Sequence, residues 1–172
     1  MRLVIHLWKR RKRLKSPLKN EYAARETALG LLARREHSRR ELVLKLRARE
    51  CPDSIITKVV DALIEEGMQS DERFAESFTR TRVERGAGPM RIRAELTVRG
   101  VDTETIEKAM ADYQDWWRDL AVEVYQKRYR NKPPQDFEEK AKRANFLQNR
   151  GFTHEHIQYA IDFSASHKSG NE

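Results

Sequence analysis

The sequence predicts an all-α protein, an elongated, curved array of three tandem three-helix repeats with about nine helices in all. Three observations predict it. Apolar residues recur at helical spacing, with no segment of sustained period-two alternation. Capping residues, glycines and prolines divide the chain at short, regular intervals. The same apolar columns return at offsets of 50 and then 51 residues.

Each helix follows from its own residues. Asn20 opens a first helix from about Glu21 to Glu36, with Ala24, Ala28, Leu29 and Leu32 on one face. Ser38 and Glu41 spell a capping box before Leu42 and Leu46. A third helix starts after Cys51 with Pro52 in its first turn, carries Ile55, Ile56, Val59, Val60, Leu63 and Ile64, and stops at Gly67. Ser70 opens a fourth, with Asp71 and Glu72 favourably placed against the helix dipole, and Gly86 and Gly88 end it. Pro89 begins a fifth bearing Ile92 and Leu96, closed by Gly100. Asp102 caps a sixth holding Ile106, Ala109 and Met110, and Asp115 caps a seventh holding Trp116, Trp117, Leu120, Val124 and Tyr125. Asn131, Pro133 and Pro134 break that helix. Asp136 with Glu139 caps an eighth ending at Gly151, and Thr153 caps a ninth with Ile157, Ala160 and Ile161.

Superposing the copies aligns Leu46, Leu96 and Leu147; Cys51, Val101 and Phe152; Ile56, Ile106 and Ile157; Val59, Ala109 and Ala160; and Val60, Met110 and Ile161. The first helices add two columns, Ala24 with Phe74 and Tyr125, and Ala28 with Phe78 and Tyr129. One column fails, because Leu42 and Ile92 align with Arg143; the expectation is that Ala144 and Phe146 turn inward in its place. The division that follows is a flexible basic extension over 1–20, repeats over 21–69, 70–114 and 115–165, and a disordered tail over 166–172. Units of this size bury little apolar surface alone, so they must stack or share helices.

A charged fraction of 36% against 38% hydrophobic residues, with a mean hydropathy of -0.86, suits narrow apolar stripes rather than one thick core. No apolar run approaches the roughly eighteen residues needed to cross a bilayer. The apolar stretch Leu3–Trp8 precedes its basic cluster, the reverse of a signal peptide, so the expected location is cytoplasmic and no membrane partner is expected. A single cysteine, Cys51, forms no internal disulfide and excludes a cysteine-framed zinc site. Of the formal charge of +8, all lies in residues 1–20, which hold eight basic residues and no acidic ones. That arm reads equally as a contact for phosphate or an acidic protein surface, as a solubilising tail, or as a misassigned start.

Within the repeats the charge is periodic. Arg25–Arg49 is net +5, Arg80–Arg99 net +4 and Lys127–Arg150 net +5, whereas Pro52–Glu76 is net -5 and Asp102–Asp115 net -4. Each unit thus carries a basic corner and an acidic third helix, and stacking aligns the corners into a stripe suited to a periodic anionic partner. The plainer reading is a solvated face laced with ion pairs. Candidate contacts are Arg34, Arg35, Arg39, Arg40, Arg47, Arg82, Arg85, Arg91, Arg93, Arg128, Lys142 and Arg143. Of the adjacent Trp116 and Trp117, one is expected in the core and the other at a rim.

Catalytic and cofactor motifs are absent: there is no phosphate-binding glycine loop, no dinucleotide fingerprint, no zinc-protease helix and no nucleophile elbow, so neither an enzyme nor a cofactor is expected. His154 and His156 fall about 200° apart on a helix and cannot share a metal. "RGVDTETIEKAM" (Arg99 to Met110) has the glycine turn of a helix-turn-helix DNA reader, but its second helix carries Asp102, Glu104 and Glu107 against Lys108, the wrong sign for phosphate.

Three stretches carry a family resemblance: "ALGLLARREHSRRELVLKL" (Ala28 to Leu46), "DERFAESFTRTRVERGAGPMRIRAELTVRGV" (Asp71 to Val101) and "FLQNRGFTHEHIQYAI" (Phe146 to Ile161). They resemble the signature runs of the RecX family, regulators of the RecA recombinase, over about Ala23 to Phe163; Arg99 stands where the family usually has lysine. The resemblance implies tandem three-helix units lodged in the groove of the RecA filament on single-stranded DNA. It implies a non-enzymatic monomer that damps filament growth and with it ATP hydrolysis, strand exchange and stimulation of LexA cleavage, with weak affinity for single- or double-stranded DNA. The alternative is a stand-alone helical DNA-binding protein.

Overall fold

A computed structural model describes residues 17–130 and 132–166. The basic arm before residue 17, the breaker Asn131, and the tail from residue 167 lie outside the described residues. In chain order the helices are α1 (Glu21–Leu32), α2 (Arg39–Arg47), α3 (Asp53–Glu65), α4 (Asp71–Glu84), α5 (Pro89–Val98), α6 (Thr103–Met110), a 3-10 helix (Ala111–Trp116), α7 (Trp117–Tyr129), α8 (Phe137–Asn149) and α9 (His154–Ser166). The described residues contain no strand.

Local chemistry places most boundaries. Side chains of Asn20, Ser38, Ser70, Asp102 and Asp136 each accept the amide of the residue three positions on, at 2.7 to 3.2 Å. Two boundaries differ from the sequence expectation. The first helix ends at Leu32 rather than Glu36, because Arg34 and Arg35 both direct their amides to the Leu31 carbonyl in a closing turn. Asp115 caps nothing: no glycine or proline separates it from α6, so the chain tightens into the 3-10 helix and α7 begins at Trp117. Tyr113 packs there against Trp116 and Trp117, with ring centroids 6.3 and 5.7 Å away. Trp117 is buried and Trp116 is partly exposed.

Every column aligned from the sequence faces inward, with Leu46, Leu96 and Leu147 fully buried and Ala109, Phe78 and Tyr129 half-buried. The discordant column keeps its geometry. Arg143 is 4% exposed and holds the core position of Leu42 and Ile92, so the expected inward turn of Ala144 and Phe146 in its place does not occur; both are half-buried beside it. The guanidinium is tolerated because Tyr125 Oη, the Lys132 and Pro133 carbonyls and the Glu139 carboxylate accept its hydrogens.

The apolar interior divides into two bodies. One is built from α1 to α3 and includes Leu18, inside the stretch expected as a flexible extension; its amide donates to the Arg49 carbonyl at 3.0 Å. The other runs unbroken from Phe74 through Trp117 and Tyr125 to Ile161, so the second and third units share one core.

The two junctions repeat one arrangement in different chemistry. At each, the residue capping a unit's middle helix meets the end of the next unit's middle helix. Between the first and second units the Ser38 hydroxyl donates to the Arg99 carbonyl at 2.8 Å. Between the second and third, the Gly88 amide donates to the Arg150 carbonyl at 2.7 Å and the Met90 amide to Gly151 at 3.0 Å. A Cβ on Gly88 would lie 2.5 Å from Gly151 and Phe152 backbone, so the second junction closes main chain on main chain.

The first junction is polar. Glu41, which its capping box would return to the Ser38 amide, instead accepts from Arg35 at 2.9 Å and His37 at 2.8 Å and faces Arg99 at 3.5 Å. Gln69 bonds the His37 carbonyl and Asp71, while Arg39 offers its amide to Asp71 and Arg73 pairs with Glu36. Burial pushes the His37 imidazole below its usual 6.5, against the pull of Glu41. Burial pushes the Glu41 carboxyl up, but the hydrogen bonds from Arg35 and His37 outweigh it and hold the group below 4.5. Both shifts act in one direction. Below pH 6.5 the unfolded chain gains a proton at residue 37 that the folded chain refuses, and the Glu41 contribution is lost as pH falls through its depressed folded value. Thermal unfolding is therefore expected to show stability falling from pH 7 downward, with a flatter slope between pH 7 and 5 in His37→Gln.

Middle helices end alike in all three units. Glu50, Gly100 and Gly151 each take the left-handed conformation, at φ 56°, 81° and 89°, and the next residue donates back to Leu46, Leu96 and Leu147. Only the first unit places a side chain there. Glu50→Gly is expected to stabilise the first unit by about 0.5–1 kcal/mol, the left-handed penalty less the added chain entropy, measurable by urea unfolding.

Candidate partner-binding groove

Three recesses join along one face. The first is lined by Arg35, Glu36, Glu41, Phe78, Arg82, Arg85 and Arg99. The second, which shares Arg82 and Arg85 with it, adds Arg91 and Arg150. The third, sharing Arg85, Gly86 and Arg150, adds Trp116, Lys127, Arg128 and Phe146. The result is a groove crossing all three units, basic for most of its length.

Aromatic rings hold its arginines. The guanidinium carbons of Arg82 and Arg99 stand 4.5 and 4.6 Å from the Phe78 centroid, and those of Arg128 and Arg150 stand 4.8 and 4.9 Å from that of Phe146. Glu95 braces the centre, accepting Arg82 at 2.6 Å and Arg91 at 2.9 Å. Burial pushes the Glu95 carboxyl up, yet those two arginines hold it below its ordinary range, so it stays ionised and fixes both. Arg150 also donates to the Arg85 and Gly86 carbonyls. Stacked and braced guanidinium groups lose little further freedom when an anion arrives.

Of the sequence candidates, the structure brings Arg35, Arg82, Arg85, Arg91 and Arg128 into this groove. Arg39, Arg40 and Arg47 line a separate depression with Val43 and Leu44, where Arg39 pairs with Asp61 and Arg47 with Asp53. Arg93 faces a further recess, apart from the groove and that depression, and is paired with Glu107. Arg34 and Lys142 are exposed outside these recesses, and Arg143 is interior. The pairs Arg39–Asp61 and Arg93–Glu107 explain the polarity within units, in which basic middle helices lean on acidic third helices. The set omitted Arg99 and Arg150. Both were legible as one column, the arginine preceding the left-handed residue in each unit, which also includes Arg49.

No cluster of three or more potential metal ligands occurs among the described residues. His154 is exposed, and His156 is half-buried against Phe152. Cys51 is buried and its thiol pushed up by burial, the opposite of an activated nucleophile. Among the described residues no helix is long and apolar enough to cross a membrane.

Tandem three-helix units that share a groove of braced arginines define a helical-repeat protein. Family comparison makes the class specific. The three units match the family models described as the first, second and third three-helix domains of RecX over residues 24–63, 70–110 and 118–161. Regulatory protein RecX of Chromohalobacter salexigens is 45% identical over 141 residues, covering 82% of this chain and 92% of that protein. Its counterpart in Stenotrophomonas maltophilia strain R551-3 is 41% identical over 155 residues, covering 90% and 91%. The chain belongs to the RecX family. The fold agrees with a crystal structure of a regulatory protein RecX (TM-score 0.72, 23% identity, 83% of this chain and 73% of that one). It agrees equally with that of RecX from Lactobacillus salivarius (TM-score 0.71, 24% identity, 85% and 97%).

Proposed function

We propose that this chain binds the RecA filament assembled on single-stranded DNA and restrains its growth, and with it ATP turnover, strand exchange and coprotease action. It does so as a monomer without catalysis or cofactor, has weak affinity for DNA by itself, and works in the cytoplasm without a membrane partner. Family membership supports the regulatory role, and the observation that carries the partner is the groove: fixed arginines recur from one unit to the next, which suits a partner that is itself periodic. The acidic faces of α3 and α6 disfavour simple wrapping by DNA.

Titration into RecA-coated single-stranded DNA tests this. The expected result is loss of ATP turnover and strand exchange well below one chain per recombinase subunit. Unaffected filaments, together with tight, steeply salt-dependent binding to bare DNA, would establish the stand-alone DNA-binding reading instead. Charge reversal at Arg85, exposed and without an ion pair among the described residues, is expected to weaken inhibition about tenfold or more while circular dichroism stays unchanged. Arg91 and Arg93 are poorer choices, since reversing them sets like charges side by side at Glu95 and Glu107.

A further inference from the structure

The part of the groove beside α7 differs from the rest. Between the end of α4 and α7, with Phe146 of α8 opposite, lies a cleft of about 640 Å³ whose floor is apolar. Val83 and Leu120 are buried at its base, Val124 is half-buried, and Trp116 stands partly exposed at its edge. Arg85, Lys127 and Arg128 are exposed around it, and Arg85 and Lys127 have no ion pair among the described residues. Gly86, at φ 71°, brings the end of α4 so close to α7 that a Cβ there would meet Val124 at 2.6 Å, which closes one wall.

We propose that this cleft takes a bulky aliphatic side chain from a short acidic segment of a partner protein, the flanking carboxylates pairing with Arg85 and Lys127. The assignment rests on reading the groove as a partner-binding surface. Charge complementarity selects an acidic ligand, and the floor selects its class. Nucleic acid binding by stacking needs free aromatic faces. Here Phe146 already carries two guanidinium groups, Trp116 at the edge already packs against Tyr113, and the floor of Val83, Leu120 and Val124 offers side-chain burial but no stacking surface. Glu84 and Glu123, also lining the cleft, are placed to accept hydrogen bonds from peptide amides, donors that a phosphodiester backbone lacks.

The test uses the full chain and fluorescein-labelled peptides followed by anisotropy. One peptide has the sequence Glu-Asp-Leu-Glu-Asp; the second carries alanine in place of the leucine, and the third carries lysines in place of the acids. The leucine peptide is expected to bind about tenfold or more tighter than the alanine peptide, the lysine peptide not at all, and Trp116 emission is expected to shift. Lys127→Glu and Arg85→Glu, each at an exposed position, should each weaken the leucine peptide several-fold with unchanged circular dichroism. Equal binding of the leucine and alanine peptides, or no binding of either, overturns the assignment. So does a twelve-residue oligothymidine that binds more tightly than the peptides and is weakened by the same variants, which would make the cleft a nucleic-acid site. Filament restraint is measured separately. A chain that ignores the peptides yet still restrains the filament overturns the cleft assignment alone, and one that does neither overturns both.

Discussion

Arg143→Ala is expected to destabilise the fused second and third units by about 3–5 kcal/mol, the largest effect of any single substitution outside the apolar core. The residue is 4% exposed at a position that two sister units fill with leucine and isoleucine. Its planar group satisfies Tyr125 Oη at 2.8 Å, two carbonyls in the turn between α7 and α8, and Glu139 one helical turn earlier. Its guanidinium carbon also lies 4.5 Å from the Tyr129 centroid. Truncation leaves a cavity, a buried phenol and carbonyls without their donor, and a carboxylate without its cation. Burial opposes the charge of Arg143, yet the bonds from Glu139 and Tyr125 more than compensate, so the group stays protonated at any pH at which the protein folds. Chemical denaturation of Arg143→Ala and Arg143→Met separates the contributions. Methionine restores volume but no hydrogen bonds and is expected to recover only part of the loss; full recovery would mean that the site needs bulk alone.

Gly88→Ala is expected to cost about 3 kcal/mol and to lower the melting temperature of the shared core by on the order of 10 °C. The backbone at Gly88, with φ -82° and ψ 168°, suits alanine, so conformational strain is not the cause. Space is the cause: the added methyl would sit 2.5 Å from three backbone atoms of Gly151 and Phe152, none of which can rotate away. Relief requires the second and third units to part, which breaks the two amide-to-carbonyl bonds that join them. Gly30→Ala supplies the control. Gly30 is exposed in α1 with nothing within 4 Å of a new Cβ, so the same change there is expected to stabilise by about 0.5–1 kcal/mol through helix propensity. Calorimetry of the two variants should therefore give shifts of opposite sign. A small shift in Gly88→Ala would mean that the junction can slide.

Much of the architecture was legible in order along the chain, for a reason visible in the caps. Asn20, Ser38, Ser70, Asp102 and Asp136 act on amides three residues away, and the columns through Leu46 or Ile56 are set by the helical repeat alone. Such short-range signals survive without a three-dimensional context. Asp115 failed as a cap because an acceptor three residues before an amide is useful only where the preceding helix has stopped.

The groove was legible only in part. A periodic basic excess identified the right segments, but composition does not say which arginine a neighbouring carboxylate has already engaged. Asp61 and Glu107 hold Arg39 and Arg93, while Glu95 draws Arg82 and Arg91 together from positions nine residues apart. Arg99 and Arg150 share a legible column, the arginine before the left-handed residue, but only the packing of Phe78 and Phe146 beneath them marks it as part of the groove.

By itself, then, the sequence determined the all-α class, the three-unit repeat, the helix caps and the family, because these depend on spacing within a few residues or on repetition of it. Only the tertiary structure decided that the interior forms two cores rather than three, that Arg143 lies inside, and which cations share one groove. Those outcomes depend on how one unit seats on the next, through Ser38 on Arg99 and Gly88 on Arg150, contacts between residues more than sixty positions apart that no local pattern encodes.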